Sequence, residues 1–264
     1  MNDNIVLYEV NSHIASITLN QPDMGNPLNA DSYRALINAF EKANEDDTVR
    51  SVILTGAGRH FCSGGNIREF LNMIETGNIN TPEQLKITTD LVAAIRNCKK
   101  PVVAMINHAA FGAGCAIALA CDFRIVTPSS QMCLAFINMA LSGDTAGMYL
   151  AAKIVGMAKA NEMMMLGSVI GGEEAARISL ATKCVEDEQL MDEAHKLAAK
   201  LAAGPGLAYI RQKQLINDHV LDMEASERYS NDEADYMSET MHSSDFEEAV
   251  RAFLDKRRPQ FKGC

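Results

Sequence analysis

Apolar and polar positions divide the chain into two kinds of segment. In IVLYEVNSHIASITLNQP (5–22) two short runs flank a polar Asn-Ser turn, and the second alternates apolar with small polar residues, which predicts paired strands. NADSYRALINAFEKANEDD (29–47) carries apolar residues at helical spacing and ends acidic. SVILTGAG (51–58) is a β-branched run stopped by glycines, the pattern of a buried strand. TPEQLKITTDLVAAIRNCKK (81–100) opens with Thr, Pro and Glu in helix-start order and closes on a basic turn. PVVAMIN (101–107) predicts a strand, GAGCAIALACD (112–122) a helix of small residues, and FRIVTP (123–128) a third strand.

Strand, helix and strand alternate to about residue 128, which predicts an α/β layer with mostly parallel pairing. From about residue 145 the apolar period is helical, punctuated by glycines at 156, 167, 171, 172, 204 and 206. TKCVED (182–187) is the one later strand expected, and from about 205 the chain is helical and charged. No repeat and no low-complexity segment interrupts this order.

Composition narrows the partners. The 264 residues are 47% hydrophobic and 22% charged, with Lys+Arg 24 against Asp+Glu 34 and a net charge of −10. Such a surface disfavours nucleic acid and anionic membranes, and leaves an anionic small ligand possible only where donors cluster. No segment approaches the ~20 uninterrupted apolar residues of a membrane span, and MNDNIVLYEV lacks the basic start and apolar core of a signal peptide. The seven cysteines, at 62, 98, 115, 121, 133, 184 and 264, form no CxxC pair and mostly sit in apolar runs. Reduced thiols and a cytoplasmic location are the expectation.

Two stretches share a design. FCSGGNI (61–67) and FGAGCAIALACD (111–122) each follow a strand and put small residues at the turn into a helix. There, unpaired backbone N–H groups approach a ligand closely and suit an oxyanion. Neither stretch is a Walker A loop or a dinucleotide GxGxxG. Two such turns could aim one N–H each at a single carbonyl oxygen; tight packing alone would also use the glycines.

With LNQPDMGNPLNADSY, ILTGAGRHFCSGGNI, KKPVVAMINHAAFGAGCAIALACDFRIV and SSDFEEAVRAFLDKRRPQFKG in this order, the chain resembles the crotonase (enoyl-CoA hydratase/isomerase) superfamily over nearly its whole length. The resemblance implies an α/β spiral of ββα units over 1–200 and a C-terminal α-helical trimerisation region over 201–264. It further implies a homo-oligomer, a trimer or dimer of trimers, acting on acyl-CoA thioesters, with no metal and no cofactor beyond the CoA of the substrate. The thioester oxygen would be held by the backbone N–H groups of Gly65 and Ala113, stabilising an enolate. CoA contacts carry over to Met24 and Gly25, to Ser63, Asn66 and Ile67 around the adenine, and to Phe253 and Lys256 near the nucleotide phosphate, often of a neighbouring subunit.

Enoyl-CoA hydratases of this superfamily use two glutamates to activate water. Here those positions hold Ala116 and Phe136, the latter bordering the acyl group, so two-Glu hydration is not expected. The family's next Gly-rich turn falls on GDTAG (143–147), and its Asp144 is a lone carboxylate in the otherwise uncharged FINMALSGDTAG (136–147). Superfamily isomerases present a single carboxylate at or near this position, so Asp144 is expected to be a base with a pKa raised by desolvation. Chlorobenzoyl-CoA dehalogenases carry a nucleophilic Asp in a similar turn, but their Trp has no counterpart here and their His position falls at Thr89.

Three functions stay open: an enoyl-CoA isomerase with one Asp base, an Asp-nucleophile dehalogenase or hydrolase, and a silent acyl-CoA-binding subunit in which Asp144 only caps the following helix. His108, Met139 and Met163–Met165 are expected to pack, and Glu69 and Asp122 to be structural.

Overall fold

The computed structural model describes residues 5–263, so Cys264 lies outside the described residues. Strands β1 (Val6–Asn11) and β2 (Ile14–Leu19) form an antiparallel hairpin. Its tip is Ser12–His13, one residue later than the Asn-Ser turn expected, and both residues have positive φ (48° and 68°). That backbone sense matches the twist of the two strands.

Strands β3 (Ser51–Gly56), β4 (Val102–Met105), β5 (Ala109–Phe111), β6 (Phe123–Val126), β7 (Gln131–Cys133), β8 (Ile170–Gly171) and β9 (Lys183–Cys184) complete two sheets. The larger runs β1-β2-β3-β4-β6-β9 and is parallel except for the hairpin. The smaller, β5-β7-β8, was not expected from the sequence, because strands of two or three residues are too short to show alternation.

The two sheets are linked in a spiral. Helices α1 (Ala30–Glu45), α2 (Ile67–Thr76), α3 (Pro82–Asn97), α4 (Ala113–Ala120) and α5 (Gly147–Val155) lie around them. After β3 the chain crosses to Cys62 and enters α2; after β4 it crosses to β5 and enters α4; after β6 it crosses to β7 and proceeds to α5. The crossing segments stack in register, Cys62 on Ala110 and Ala110 on Met132. The fold is therefore the expected crotonase spiral of ββα units.

Further on come α6 (Met157–Met165), α7 (Gly172–Arg177), α8 (Leu190–Ala202), α9 (Gly206–Leu215), α10 (Met223–Met241) and α11 (Ser244–Leu254). The larger sheet is covered on both faces, which explains why its strands read as apolar runs. Val102 and Ala104 of β4 join the main core with Leu36 and Phe40 of α1 and Leu91 and Ile95 of α3. Val103 points the other way, against Leu190, Ala194 and Leu201 of α8.

The helical tail is fastened to this core. Asp122 accepts from Arg96 (3.0 Å), Lys213 (2.8 Å) and the Val102 N–H (2.8 Å), and Asn217 accepts from Arg96 at 2.6 Å. Met237, Met241, Phe246 and Val250 enter the main core. The tail adds these residues to the main core rather than forming a cluster of its own. Among the described residues no helix is long and apolar enough to cross a membrane.

Candidate active site

The two glycine turns touch. A Cβ on Gly112 would stand 3.8 Å from Gly64 Cα, and one on Gly64 would stand 2.7 Å from the Phe111 carbonyl oxygen. Both glycines have positive φ (89° for Gly64 and 53° for Gly112), which L side chains rarely adopt. Ladder bonds from Cys62 N–H to Ala109 O (3.0 Å) and from Phe111 N–H to Cys62 O (2.9 Å) hold the turns side by side. Surrounding amides are engaged: Ser63 N–H donates to Gly25 O and Gly112 N–H to Cys133 O. Gly65 N–H and Ala113 N–H, one residue beyond the touching glycines, donate to no acceptor among the described residues. Ala113 also opens α4, where helix geometry leaves an amide unpaired.

Gly65 and Ala113 line one cavity of about 480 Å3 together with Asp144, Phe136, Ser63 and Ile67. Asp144 is only 7% exposed. It accepts from the Thr145 hydroxyl at 2.6 Å, and burial pushes its pKa up to about 6 against that hydrogen bond. The helix-cap reading of Asp144 does not hold. Helix α5 begins at Gly147 with Ala146 as its cap residue, and no side chain caps it. The carboxylate is instead presented by a turn in which Gly143, Thr145 and Ala146 all have positive φ (106°, 60° and 50°).

Ala116 and Phe136, where the resemblance placed the two hydratase glutamates, close on Gly147. A Cβ there would lie 3.3 Å from Ala116 Cβ and 3.7 Å from Phe136 Cε2. A methyl and a phenyl ring thus stand at these two positions, and of the two only Phe136 lines the cavity.

Other expected residues divide in two. Met24 and Gly25 end a short turn whose Gly25 carbonyl accepts from Ser63 N–H at 2.9 Å, so this loop flanks the Ser63 side of the cavity. Asn66 caps α2 by accepting from Arg68 N–H and donates to Glu69 (3.3 Å). Phe253, 60% exposed at the end of α11, and the exposed Lys256 do not line the cavity. Glu69 also accepts from Asn29, the α1 cap, and so ties two helix starts together, but beyond the structural role expected it also lines the cavity. His108 packs edge-on against His60 and contacts Arg59 at 3.0 Å.

Thr89, where the dehalogenase His position falls, does not line the cavity; its hydroxyl donates to Lys86 O, and the neighbouring Thr88 lines the cavity instead. Two expectations on single residues are corrected. Met139 lines the cavity as well as packing on the core. Met165 is exposed, although Met163 is buried as core.

Two site residues escaped the sequence reading. Tyr33 lines the cavity, where burial and the Asp144 charge push its phenol well above the usual range. Its signal was the helical spacing of Tyr33, Leu36 and Phe40. Glu233 of α10, 7% exposed, accepts from Ala146 N–H at 2.8 Å and from the Tyr229 hydroxyl. Burial and the nearby Asp144 push it up to about 8. Its signal was position: Tyr229, Glu233, Met237 and Met241 recur every four residues on one helix face.

Comparison with known proteins gives one answer. Residues 9–264 match the family described as enoyl-CoA hydratase/isomerase. A protein of Escherichia coli named 1,2-epoxyphenylacetyl-CoA isomerase is 32% identical over 268 residues, covering 98% of each chain. A probable enoyl-CoA hydratase of Rhodobacter capsulatus is 35% identical over 263 residues, covering 100% of each. The crystal structure of an enoyl-CoA hydratase from Mycobacterium avium subsp. paratuberculosis superposes with a TM-score of 0.88 at 30% identity, covering 98% of each chain.

Proposed function

The chain belongs to the enoyl-CoA hydratase/isomerase family, and we propose that within it this protein is a single-carboxylate acyl-CoA isomerase. Asp144 removes a proton from C2 of a 3-enoyl thioester. The C–H electron pair moves into the conjugated system, and the resulting dienolate oxygen accepts hydrogen bonds from Gly65 and Ala113 N–H. The protonated Asp144 then returns its proton at C4, leaving a 2-enoyl thioester. One base serves both steps, so the reaction needs no second carboxylate in the cavity and no cofactor beyond the CoA of the substrate.

The observation that carries this reading is a single juxtaposition. Asp144 opens onto the same cavity as the two unengaged amides, while the water-activating positions hold Ala116 and Phe136. A carboxylate raised to about 6 is ionised at neutral pH yet basic enough to take a proton from an acidified carbon. The isomerase name of the E. coli relative agrees with it. Solvent-deuterium exchange at the α-carbon of an acyl-CoA tests the reading: exchange and isomerisation support it, and release of free acid or halide would favour attack by Asp144 as a nucleophile.

We also propose assembly into trimers, singly or in pairs, supported by the cluster of exposed apolar residues Met165, Leu166 and Val169. Light scattering at micromolar concentration tests it, and a stable 28.7 kDa monomer would reject it.

A further inference from the structure

Ala146 N–H and the Glu233 carboxyl meet at 2.8 Å across 87 residues of sequence. The turn on one side is unusual, with Gly143, Thr145 and Ala146 all in the left-handed region. Two consecutive non-glycine residues in that region persist only where the surroundings over-determine them. No cap from the turn's own side chains does this, because α5 has no side-chain cap. Glu233 reaches in from α10 and is itself held by the Tyr229 hydroxyl one helical turn earlier. It is buried but does not line the cavity, so it acts through the turn rather than on the substrate.

We propose that Glu233 is a positioning residue for Asp144: its carboxyl, bonded to Ala146 N–H, holds the 143–146 turn in the conformation that directs Asp144 into the cavity. This rests on the reading of Asp144 as the base. The titratable groups that face Glu233 among the described residues are Asp144 from the turn and Tyr229 from α10 itself; no cation does. Two carboxyls in one dry region separate their protonation steps. Burial and the Asp144 charge raise the Glu233 carboxyl, which favours its neutral form beside an ionised Asp144. In that form the positioning group adds no second negative charge behind the base.

The test compares the full-length wild type with Glu233→Gln, Glu233→Leu and Asp144→Asn. Glutamine keeps an oxygen for Ala146 N–H and loses the titration; leucine loses both. Isomerisation of a 3-enoyl-CoA should keep kcat within about threefold in Glu233→Gln and lose roughly 10- to 100-fold in Glu233→Leu, with KM unchanged, as expected for a misplaced catalytic group. Two readouts are independent of turnover. Hydrogen exchange at the Ala146 amide should quicken at least about tenfold in Glu233→Leu alone, the ratio of open to closed turn setting that rate. Carboxyl 13C NMR should show two coupled steps in the wild type and only the Asp144 step in Glu233→Gln.

Wild-type kcat and Ala146 protection in a folded Glu233→Leu protein would overturn the proposal, as would equal loss in the leucine and glutamine variants. Should Glu233→Leu fail to fold, the glutamine variant decides: retained kcat with the upper NMR step gone supports the proposal, and lost kcat or an unchanged titration overturns it. Full activity in Asp144→Asn would instead sink the base reading, with the Ala146 exchange data still judging the turn contact.

Discussion

Gly64 and Gly112 meet backbone to backbone, with a Cβ on Gly112 only 3.8 Å from Gly64 Cα. This contact sets the separation of the two turns that carry Gly65 and Ala113. A side chain at Gly64 would face the Phe111 carbonyl oxygen at 2.7 Å, and backbone cannot yield as a flexible side chain would. Gly64 also has φ of 89°, so alanine would be strained whatever the space.

Gly64→Ala is therefore expected to destabilise the fold by about 1–3 kcal/mol. It should also lower kcat by roughly 10²–10³, the cost of a displaced oxyanion donor. Urea unfolding and steady-state isomerisation measure the two effects. A protein as active as the wild type would show that the turns can separate without consequence.

Crotonyl-CoA hydration should be negligible. The side chains of Ala116 and Phe136 are apolar, and neither can hold or activate a water. Absorbance at the enoyl thioester band follows the reaction. Turnover approaching ~10 s⁻¹, an ordinary enzyme rate, would mean that some other group activates water.

Asp122→Ala should cost about 3–5 kcal/mol, the penalty for leaving buried charge without its partner. The Arg96 and Lys213 side chains are 6% and 8% exposed, and both bond the same carboxylate. Because Lys213 comes from the tail, chemical denaturation of this variant should also show the C-terminal helices released before the core. A single transition with unchanged midpoint would contradict both statements.

The sequence carried the parts of this molecule that repeat a local rule over enough residues. The apolar runs of β3 and β4 and the helical period of α1 and α3 could be read because each spans several residues of one pattern. Strands β5, β7 and β8 could not, since their pairing depends on what the spiral brings alongside. The glycine turns were legible as a type, but their contact through Gly64 and Gly112 is a tertiary fact. Asp144 was visible because it is isolated among apolar neighbours. Glu233 was hidden for the opposite reason: Asp232 and Asp235 stand beside it, and only the face it shares with Met237 and Met241 distinguishes it.

Asp144 itself should set stability and activity against each other. Its pKa is about 6 in the folded protein against 3.8 for the free side chain, so the folded state holds the proton more tightly. Below about pH 4 both states are protonated and the residue is neutral to stability. Between about pH 4 and 6 the unfolded chain ionises first, and stability falls as pH rises. Above about pH 6 the loss is complete, on the order of 3 kcal/mol, since each tenfold difference in proton affinity is worth about 1.4 kcal/mol. Asp144→Asn removes this loss and, since the carboxylate caps no helix, removes no cap with it. Its Tm should therefore exceed that of the wild type at pH 8 by several degrees and match it at pH 4. The same variant should lose roughly 10²–10⁴ in isomerisation or α-deuterium exchange, the usual contribution of a positioned base. In the wild type kcat/KM should rise with pH through about 6 as Asp144 ionises. Calorimetry at the two pH values and a pH–rate profile check these outcomes together. A variant that is stabilised yet fully active would show Asp144 to be a buried charge without a catalytic role, and one destabilised at pH 8 would show that the carboxylate supports the fold.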